Sequence, residues 1–549
     1  MKRLFPFLIV CVCLLACEPS SDPVEEPASY PEVRLNFQPN ILWLVAEDLG
    51  PYIPPFGDST VATPTLSRLA AEGVRFTHFF SPSGVCAPSR AAISTGMYPS
   101  HIGAQHMRTS GGATSHPENL VRYEAVPPPE VKMHAEYMRM AGYYCSNNAK
   151  EDYQYRKTVT AWDESSRTAH WRNKEAGQPF FSIFNFGITH ESQIWARMKD
   201  SLWVPKDMQV SVPPYLPDNE VGRQDVRQMY SNIKRMDTQV GEILAQLEED
   251  GLMDSTIIFW YTDHGGPLPR MKRMLYDSGI RVPMIVRFPE KLFAGTVDDR
   301  LTNFIDLLPT ILSLSGQEPP AYLDGKSFLG EYTAEPRKYL HAAADRFDAV
   351  YDMIRAVRDR RYKYLKNFQP EKSYYLPVKY REQMPVMQEL LRMREAGELN
   401  ATQALWFGET KVEEELFDTE NDPHELHNLA NDPAHQDKLQ ELRAECERWM
   451  AEIEDKGLME EEDFIQTIWP NFQQPATEAP EFSVEGGKIT ISSATTGASV
   501  GYQLLGASDT LVNRWEVYTG PVSLPEEKQM VAIAHRIGYS PSELKTFQP

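Results

Sequence analysis

"NILWLVAEDLG", residues 40–50, is the stretch that decides how this 549-residue chain folds. Its apolar run has no polar alternation and closes on two carboxylates, Glu47 and Asp48. A strand wetted on one face alternates apolar with polar residues. An unbroken run is the mark of a strand covered on both faces, as in a parallel sheet. The pattern recurs in "QPFFSIFNFGITHE" (178–191), which closes on His190, and in "STIIFWYTDHGG" (255–266), which closes on Asp263 and His264. "VPMIVRFP" (282–289) reads as one more strand. Between them, "TPTLSRLAAEGVRFTHFF" (63–80) reads as a helix followed by a strand. Residues 223–250 carry Met229, Ile233, Met236, Val240, Ile243, Leu244 and Leu247 at spacings of three and four, which predicts a long amphipathic helix. Alternating strands and helices predict an α/β fold: a mainly parallel sheet with helices on both faces. Ligands of such sheets bind beyond the carboxyl ends of the strands, where these acids and histidines lie.

Beyond residue 330 the texture changes. "AVRDRRYKYLKNF" (356–368) reads as a turn and a short strand, and 414–453 as a turn-rich stretch followed by a helix. Residues 331–468 are therefore expected to form a smaller α+β subdomain behind a catalytic domain at 38–330. Residues 469–481, rich in Pro, Gln, Glu and Ala, read as a linker, and 482–549 as a small β-sandwich of short alternating strands. That last module either binds glycan or packs on the rest of the chain; packing is the reading we favour.

The chain is 42% hydrophobic and 24% charged, with a formal net charge of −22. Such an acidic chain is a poor nucleic-acid binder. An anionic substrate would have to be drawn by a local cluster of Arg, Lys and metal. The cysteines are Cys11, Cys13, Cys17, Cys86, Cys145 and Cys446, with no CxxC pair. That spacing argues against both a disulfide framework and a zinc site. The start of the chain, "MKRLFPFLIVCVCLLACEPSSDPVEEP", places Lys2 and Arg3 before an apolar run at 4–15 that ends in "LLAC". The run is shorter than the roughly 20 residues that span a bilayer. It is similar to a bacterial lipoprotein signal, with cleavage before Cys17, lipid on its thiol and a tether at 18–37. The protein is then exported and lipid-anchored to a bacterial membrane, which it meets only through that anchor.

"VCAPSRAAISTG" (85–96) frames one cysteine with unusual care. Pro88 suits the first turn of a helix. Ser89 and Arg90 set a hydroxyl and a guanidinium beside a helix N-terminus, whose free N–H groups and dipole favour an anion. By itself Cys86 is open to reading as a nucleophile, a metal ligand or a small buried apolar residue.

The C-x-P-x-R frame followed by "AAISTGMYPS" resembles the signature of the type I sulfatases of the alkaline-phosphatase superfamily. "NILWLVAEDLG", "YTDHGG", "MKRMLYDSGIRVPMIVRFP" and "EELFDTENDPHELHNLA" resemble further segments of that family. "GYYCSNNAKEDYQY" and "VPPYLPDNEVGRQDVRQMY" look closest to its heparan N-sulfatase-like branch. The resemblance implies an alkaline-phosphatase-like fold. It implies that Cys86 is oxidised to formylglycine by a formylglycine-generating enzyme, so that the thiol is a precursor. It implies a Ca²⁺ ion, with Mg²⁺ second, held by Glu47, Asp48, Cys86 as formylglycine, Asp263 and His264. Hard carboxylate oxygens suit such ions. Two positions depart from the family: Glu47 stands where an Asp is usual, and His264 where an Asn is usual. Arg90, Lys150, His190 and Lys272 match the family's catalytic residues. The cations would stabilise charge on the sulfuryl oxygens, and His190 or Lys272 would protonate the leaving group. Asp152 occupies the place of a common active-site His, and Arg281 is readable as a structural ion-pair partner.

The expected reaction is hydrolysis of a sulfate ester, or of an N-sulfate, on a terminal sugar of a sulfated glycan. The loop "ADRFDAVYDMIR" (344–355) offers Asp345, Arg346 and Asp348 where the resembled branch reads that sugar. Relatives with the same cysteine frame hydrolyse phosphodiesters or phosphonate monoesters, which is the competing activity. A third possibility is a glycan-binding lipoprotein with a dead core. Against it stands the intact set of Cys86, Arg90, Asp48, Asp263, Lys150, His190 and Lys272.

Overall fold

The computed structural model describes Val33, residues 35–110 and residues 116–548. The expected leader, Cys17 and most of the tether lie outside the described residues. The central sheet has nine strands: β1 Asn40–Ala46, β2 Val74–Phe80, β3 Tyr144–Asn148, β4 Glu164–Ser165, β5 Phe180–Phe186, β6 Thr256–Thr262, β7 Arg281–Arg287, β8 Thr296–Asp298 and β9 Thr302–Asn303. They lie in the order β4-β3-β5-β1-β6-β7-β2-β8, with β9 also paired to β2. β1 is central, parallel to β5 on one side and to β6 on the other. Only β7 runs antiparallel to its neighbours, β6 and β2.

All seven residues of β1 are buried. Leu42, Leu44 and Ala46 enter one core, and Ile41, Trp43 and Val45 the other. Successive side chains of a strand point to opposite faces, so covering both faces makes every position from Ile41 to Ala46 apolar, and the polar Asn40 at the strand's start donates to Ser255 Oγ at 3.2 Å. The helix Glu220–Glu249 covers the first face, with Val226, Met229, Ile233, Met236, Val240, Leu244 and Leu247 buried. It starts three residues before the expected 223, because the Asn219 side chain caps it by accepting from Gly222 N at 3.1 Å. Gly222 is required there, since a Cβ would sit 1.9 Å from the Pro217 carbonyl oxygen. The helices Cys86–Thr95 and Leu307–Leu314 pack on the second face.

A second, antiparallel sheet follows: β10 Leu340–Ala344, β11 Ile354–Arg358, β12 Tyr362–Asn367 and β13 Glu414–Asp418. Residues 356–368 thus hold the end of one strand, a turn and a second strand of the same hairpin. The helix Gln436–Glu452 covers this sheet through Leu439, Leu442, Cys446 and Trp449. The last strands are β14 Glu481–Glu485, β15 Lys488–Ser492, β16 Ser499–Gly506, β17 Glu516–Val517, β18 Val522–Ser523, β19 Lys528–His535 and β20 Lys545–Phe547. They form two sheets, β14-β15-β18 and β17-β16-β19-β20, around Ile489, Ile491, Val500, Met530 and Ala532. This unit is bonded to the larger one. Arg139 donates to the Trp515 carbonyl at 2.8 Å, Lys132 to Ser499 Oγ at 2.9 Å, and Arg514 meets Asp163 at 3.1 Å.

Residues 469–481 are not a free linker. Trp469 and Thr477 are buried. Trp469 Nε1 and Gln474 Nε2 donate to the Gly538 carbonyl, and Thr477 bonds to Ser540. Composition suggested a spacer because these bonds run from scattered indole, amide and hydroxyl groups to backbone carbonyls, which leaves no apolar periodicity.

Candidate active site

The strand ends converge. β1 delivers Asp48, whose φ of 46° is a conformation few non-glycine residues adopt. Its N–H donates to Asp263 Oδ1 at 3.1 Å across the β1/β6 seam. Asp48, Cys86, Asp263 and His264 are all buried, with ligand atoms within 4.8 Å of one another. Arg90, one turn along the helix from Cys86, grips Asp263 Oδ2 with Nε at 3.1 Å and Nη2 at 3.0 Å. Its Nη1 donates to Asn185 on β5 at 2.8 Å. Arg90 therefore fixes an acid in place.

These residues fit a divalent cation. His264 Nδ1 lies 3.1 Å from the Gly265 carbonyl and donates to it, while Nε2 lies 3.0 Å from Asp48 Oδ1, the place from which it would ligate an ion once deprotonated. Such an outer bond orients a ligating imidazole. Burial alone would depress His264, but Asp48 and Asp263 outweigh it and carry its pKa up to about 10. Two buried carboxylates that draw a proton onto an imidazole form a pocket short of positive charge. The donor set of two carboxylates, an imidazole and position 86 matches a hard or borderline divalent ion.

Cys86 opens its helix, and Val85 ahead of it is extended. Its sulfur lies 3.4 Å from His264 Nε2, 3.6 Å from Lys272 Nζ and 3.9 Å from Asp48 Oδ1. Burial pushes the thiol up, yet the charges of Lys272, Lys150 and His264 together outweigh it and hold the thiol at about 6. Position 86 therefore favours negative charge. Lys272 also contacts Asp48 Oδ2 at 2.6 Å and His190 Nε2 at 3.2 Å. Burial acts against its charge, but Asp48 and the Cys86 sulfur hold its pKa well above the usual lysine value. Lys150, just past β3, meets Glu47 Oε2 at 2.9 Å.

Several expected residues fall elsewhere. Glu47 is outside the cluster of Asp48, Asp263 and His264; it groups with Asp48 and His190 and takes Lys150 as its partner. Asp152 binds Arg108 Nη1 at 2.7 Å and lies 3.9 Å from Lys150. Arg281 donates to the Thr77 carbonyl at 3.0 Å. The sugar-reading role expected of Asp345 and Arg346 is corrected. Arg346 is 0% exposed, and its guanidinium is taken up by Glu461 and by the carbonyls of Met107 and Asp348. Asp345 is buried and bound to Arg355 at 3.0 Å. An acid and a base on a loop look exposed in sequence; here both turn inward, Asp345 to Arg355 on the next strand and Arg346 to Glu461 far along the chain.

A cleft of about 1060 Å³ opens over Lys272 and His190, lined further by Arg108, His116, Lys379 and Tyr380. No sequence pattern marks these last four, which come from two segments far apart in the chain, 108–116 and 379–380. One backbone feature does gather near them: Asp48, Arg108, Asp152, Arg273 and Asp348 all have positive φ. Such strain concentrates at functional sites.

The comparisons with known proteins agree with this geometry. The family model described as Sulfatase matches residues 39–317, and that described as N-sulphoglucosamine sulphohydrolase, C-terminal, matches residues 270–403. An ulvan-active sulfatase of Formosa agariphila is 51% identical, over 93% of this chain and 91% of the relative. The N-sulphoglucosamine sulphohydrolase of Homo sapiens is 26% identical, over 76% of this chain and 90% of that protein. Among solved structures, a 2-O GAG sulfatase superposes with a TM-score of 0.55 at 21% identity, covering 76% of this chain and 93% of its own. A protein solved with its substrate D-glucosamine-2-N,6-O-disulfate superposes with a TM-score of 0.53 at 16% identity, covering 76% and 99%. Fold, site and relatives lead to one assignment: the chain belongs to the sulfatase family, with its alkaline-phosphatase-like fold, and is a sulfuric ester hydrolase.

Proposed function

We propose that this sulfatase removes sulfate from terminal sugars of a sulfated glycan, through a formylglycine formed from Cys86 and beside a Ca²⁺ ion held by Asp48, Asp263 and His264. One observation carries the reading: position 86 begins a buried helix within 3.6 Å of Lys272 Nζ and 3.4 Å of His264 Nε2. The sulfur stands in for the hydroxyl oxygens of hydrated formylglycine. That hydrate supplies one hydroxyl to attack sulfur and a second through which sulfate is released. A divalent cation in the acid cluster would polarise the sulfuryl oxygens and acidify the attacking hydroxyl.

The rest follows from the chain's own side chains. Lys272, wedged between Asp48 and position 86, places positive charge where the sulfuryl oxygens gain negative charge. Lys150 adds a second ammonium, steadied by Glu47. Ser192 N donates to His190 Nδ1 at 3.3 Å. His190 Nε2 lies 3.2 Å from Lys272 Nζ, and one of this pair, both lining the cleft, would protonate the leaving oxygen or nitrogen. Burial of Asp48, Asp263 and His264 keeps water from these charges.

A polysaccharide of the ulvan kind is the substrate class supported by the relative that is 51% identical. The cleft, walled in part by the β10–β11 and β12–β13 connections of the second sheet, suits a chain end better than a chain middle. Export and lipidation at Cys17 complete the proposal: a formylglycine-generating enzyme matures the protein, and the anchor holds it at a membrane.

The test is co-expression with a formylglycine-generating enzyme. Mass spectrometry of the Cys86 peptide should show the aldehyde, and ulvan oligosaccharides should lose sulfate from their ends. A free thiol in fully active protein would overturn the formylglycine. Release from the middle of long chains would overturn the exo mode. Preference for a bis-aryl phosphate would restore the phosphodiesterase reading.

A further inference from the structure

We propose, resting on the reading that the cleft takes a sulfated sugar, that Tyr380 is the platform for the sugar ring and Lys379 the contact for a second anionic substituent. Tyr380 is 42% exposed and lines the cleft. A single exposed aromatic is ordinary. Tyr380 differs because its ring is held. It stands edge to face against Trp195 at 5.1 Å and 79°, and against the catalytic His190 at 6.3 Å and 62°. Its backbone is held as well. The next residue, Arg381, is buried, donates to the Leu376 carbonyl at 2.6 Å, and lies over the Tyr375 and Trp406 rings at 5.3 and 4.9 Å. A fixed aromatic wall beside the proton donor suits the apolar C–H face of a sugar.

Lys379 is exposed on the same cleft. The other cations there are already neutralised. Arg108 meets Asp152, Lys272 meets Asp48 and Glu191, and Arg273 meets Glu191 and Asp348. Lys379 has no carboxylate within ion-pair distance among the described residues, and Glu118, which also lines the cleft, is no exception. In a chain of net charge −22, a cation left over at the mouth of the site selects for an anion on the ligand. Its source is a carboxylate or a second sulfate next to the target residue.

Binding to Cys86→Ser protein, which cannot turn over, tests this by isothermal titration calorimetry. The three probes are oligosaccharides that carry the target sulfate alone, with a neighbouring carboxylate, or with a neighbouring sulfate. Tyr380→Ala should weaken all three by about tenfold or more, and Tyr380→Phe by less than about threefold. One anionic probe should bind more tightly than the singly sulfated one, and Lys379→Ala should erase that advantage while leaving the singly sulfated probe unchanged. Unchanged affinity in Tyr380→Ala would overturn the platform. Equal binding of all three probes to the parent, or an equal loss on all three in Lys379→Ala, would overturn the anion contact. Sulfate release by the matured wild-type protein is measured separately. Binding without release would sink the activity reading and leave the platform standing.

Discussion

Arg346 holds Glu461 in a two-pronged ion pair, Nε to Oε2 at 2.6 Å and Nη2 to Oε1 at 2.7 Å, with neither side chain in contact with solvent. Tyr123 and Tyr351 donate to the same carboxylate at 2.9 and 2.6 Å. The pair ties the loop after β10 to the helix Glu461–Ile468. Removing one partner leaves a buried charge alone, which costs about 3–5 kcal/mol. Arg346→Ala should therefore lower stability by that much in urea denaturation, and should depress turnover of a small aryl sulfate and of a sulfated sugar alike. Loss confined to the sugar at unchanged stability would return Arg346 to substrate recognition.

Cys86→Ala should leave the fold intact and abolish catalysis. The side chain is small, and the helix around it is buried mainly through Ala and Ser. Loss of a covalent nucleophile costs at least about 10³-fold in kcat. Circular dichroism and thermal melting check the fold, and single-turnover sulfate release checks the chemistry. Residual activity within tenfold of the parent would exclude position 86 as the nucleophile.

Chelation should expose the acid cluster. Ca²⁺ at a hundred times its Kd should stabilise the folded chain by about 2.7 kcal/mol, seen as a rise in Tm over chelated protein. Asp263→Asn should abolish the rise, because it removes one of the two charges facing His264. Mg²⁺ should give a smaller shift, since it demands stricter octahedral geometry. Identical melting with chelator and with Ca²⁺ would argue against a resident ion.

Asp225 sets a pH dependence far from the chemistry. Its carboxylate is buried on the helix Glu220–Glu249 and accepts from Val386 N at 2.7 Å. Burial pushes its pKa up to about 7, and the Val386 bond offsets this only in part. An unfolded aspartate titrates near about 3.9. Between these values the folded state keeps a proton that the unfolded chain has lost, so stability falls as pH rises from about 4 to about 7. Asp225→Asn keeps the acceptor and removes the charge. It should match the parent below about pH 4 and exceed it at pH 8 by about 1–3 kcal/mol. An equal gain at both pH values would trace the effect to packing.

The strands and their chemistry could be read in advance wherever the information is local. Continuous apolar runs ending in Asp48, His190 and Asp263 specify buried strands and put those groups at the carboxyl edge of a sheet. The frame around Cys86 specifies a helix N-terminus. Each follows from a few adjacent residues and the periodicity of strand and helix.

What only the tertiary structure decided concerns side chains whose partners are distant in sequence. Glu47 and Asp48 are neighbours on one strand end, yet Glu47 turns to Lys150 and Asp48 to the cluster with Asp263 and His264. Arg346 looked like a surface reader of sugar and is locked to Glu461, 115 residues on. Tyr380 carried no pattern and stands beside His190. A loop residue's direction is set by the charge, cavity or ring that the fold brings to it, and neither spacing nor composition encodes that partner. Local sequence therefore placed the groups at the strand ends, while the lining of the cleft was settled only by long-range packing.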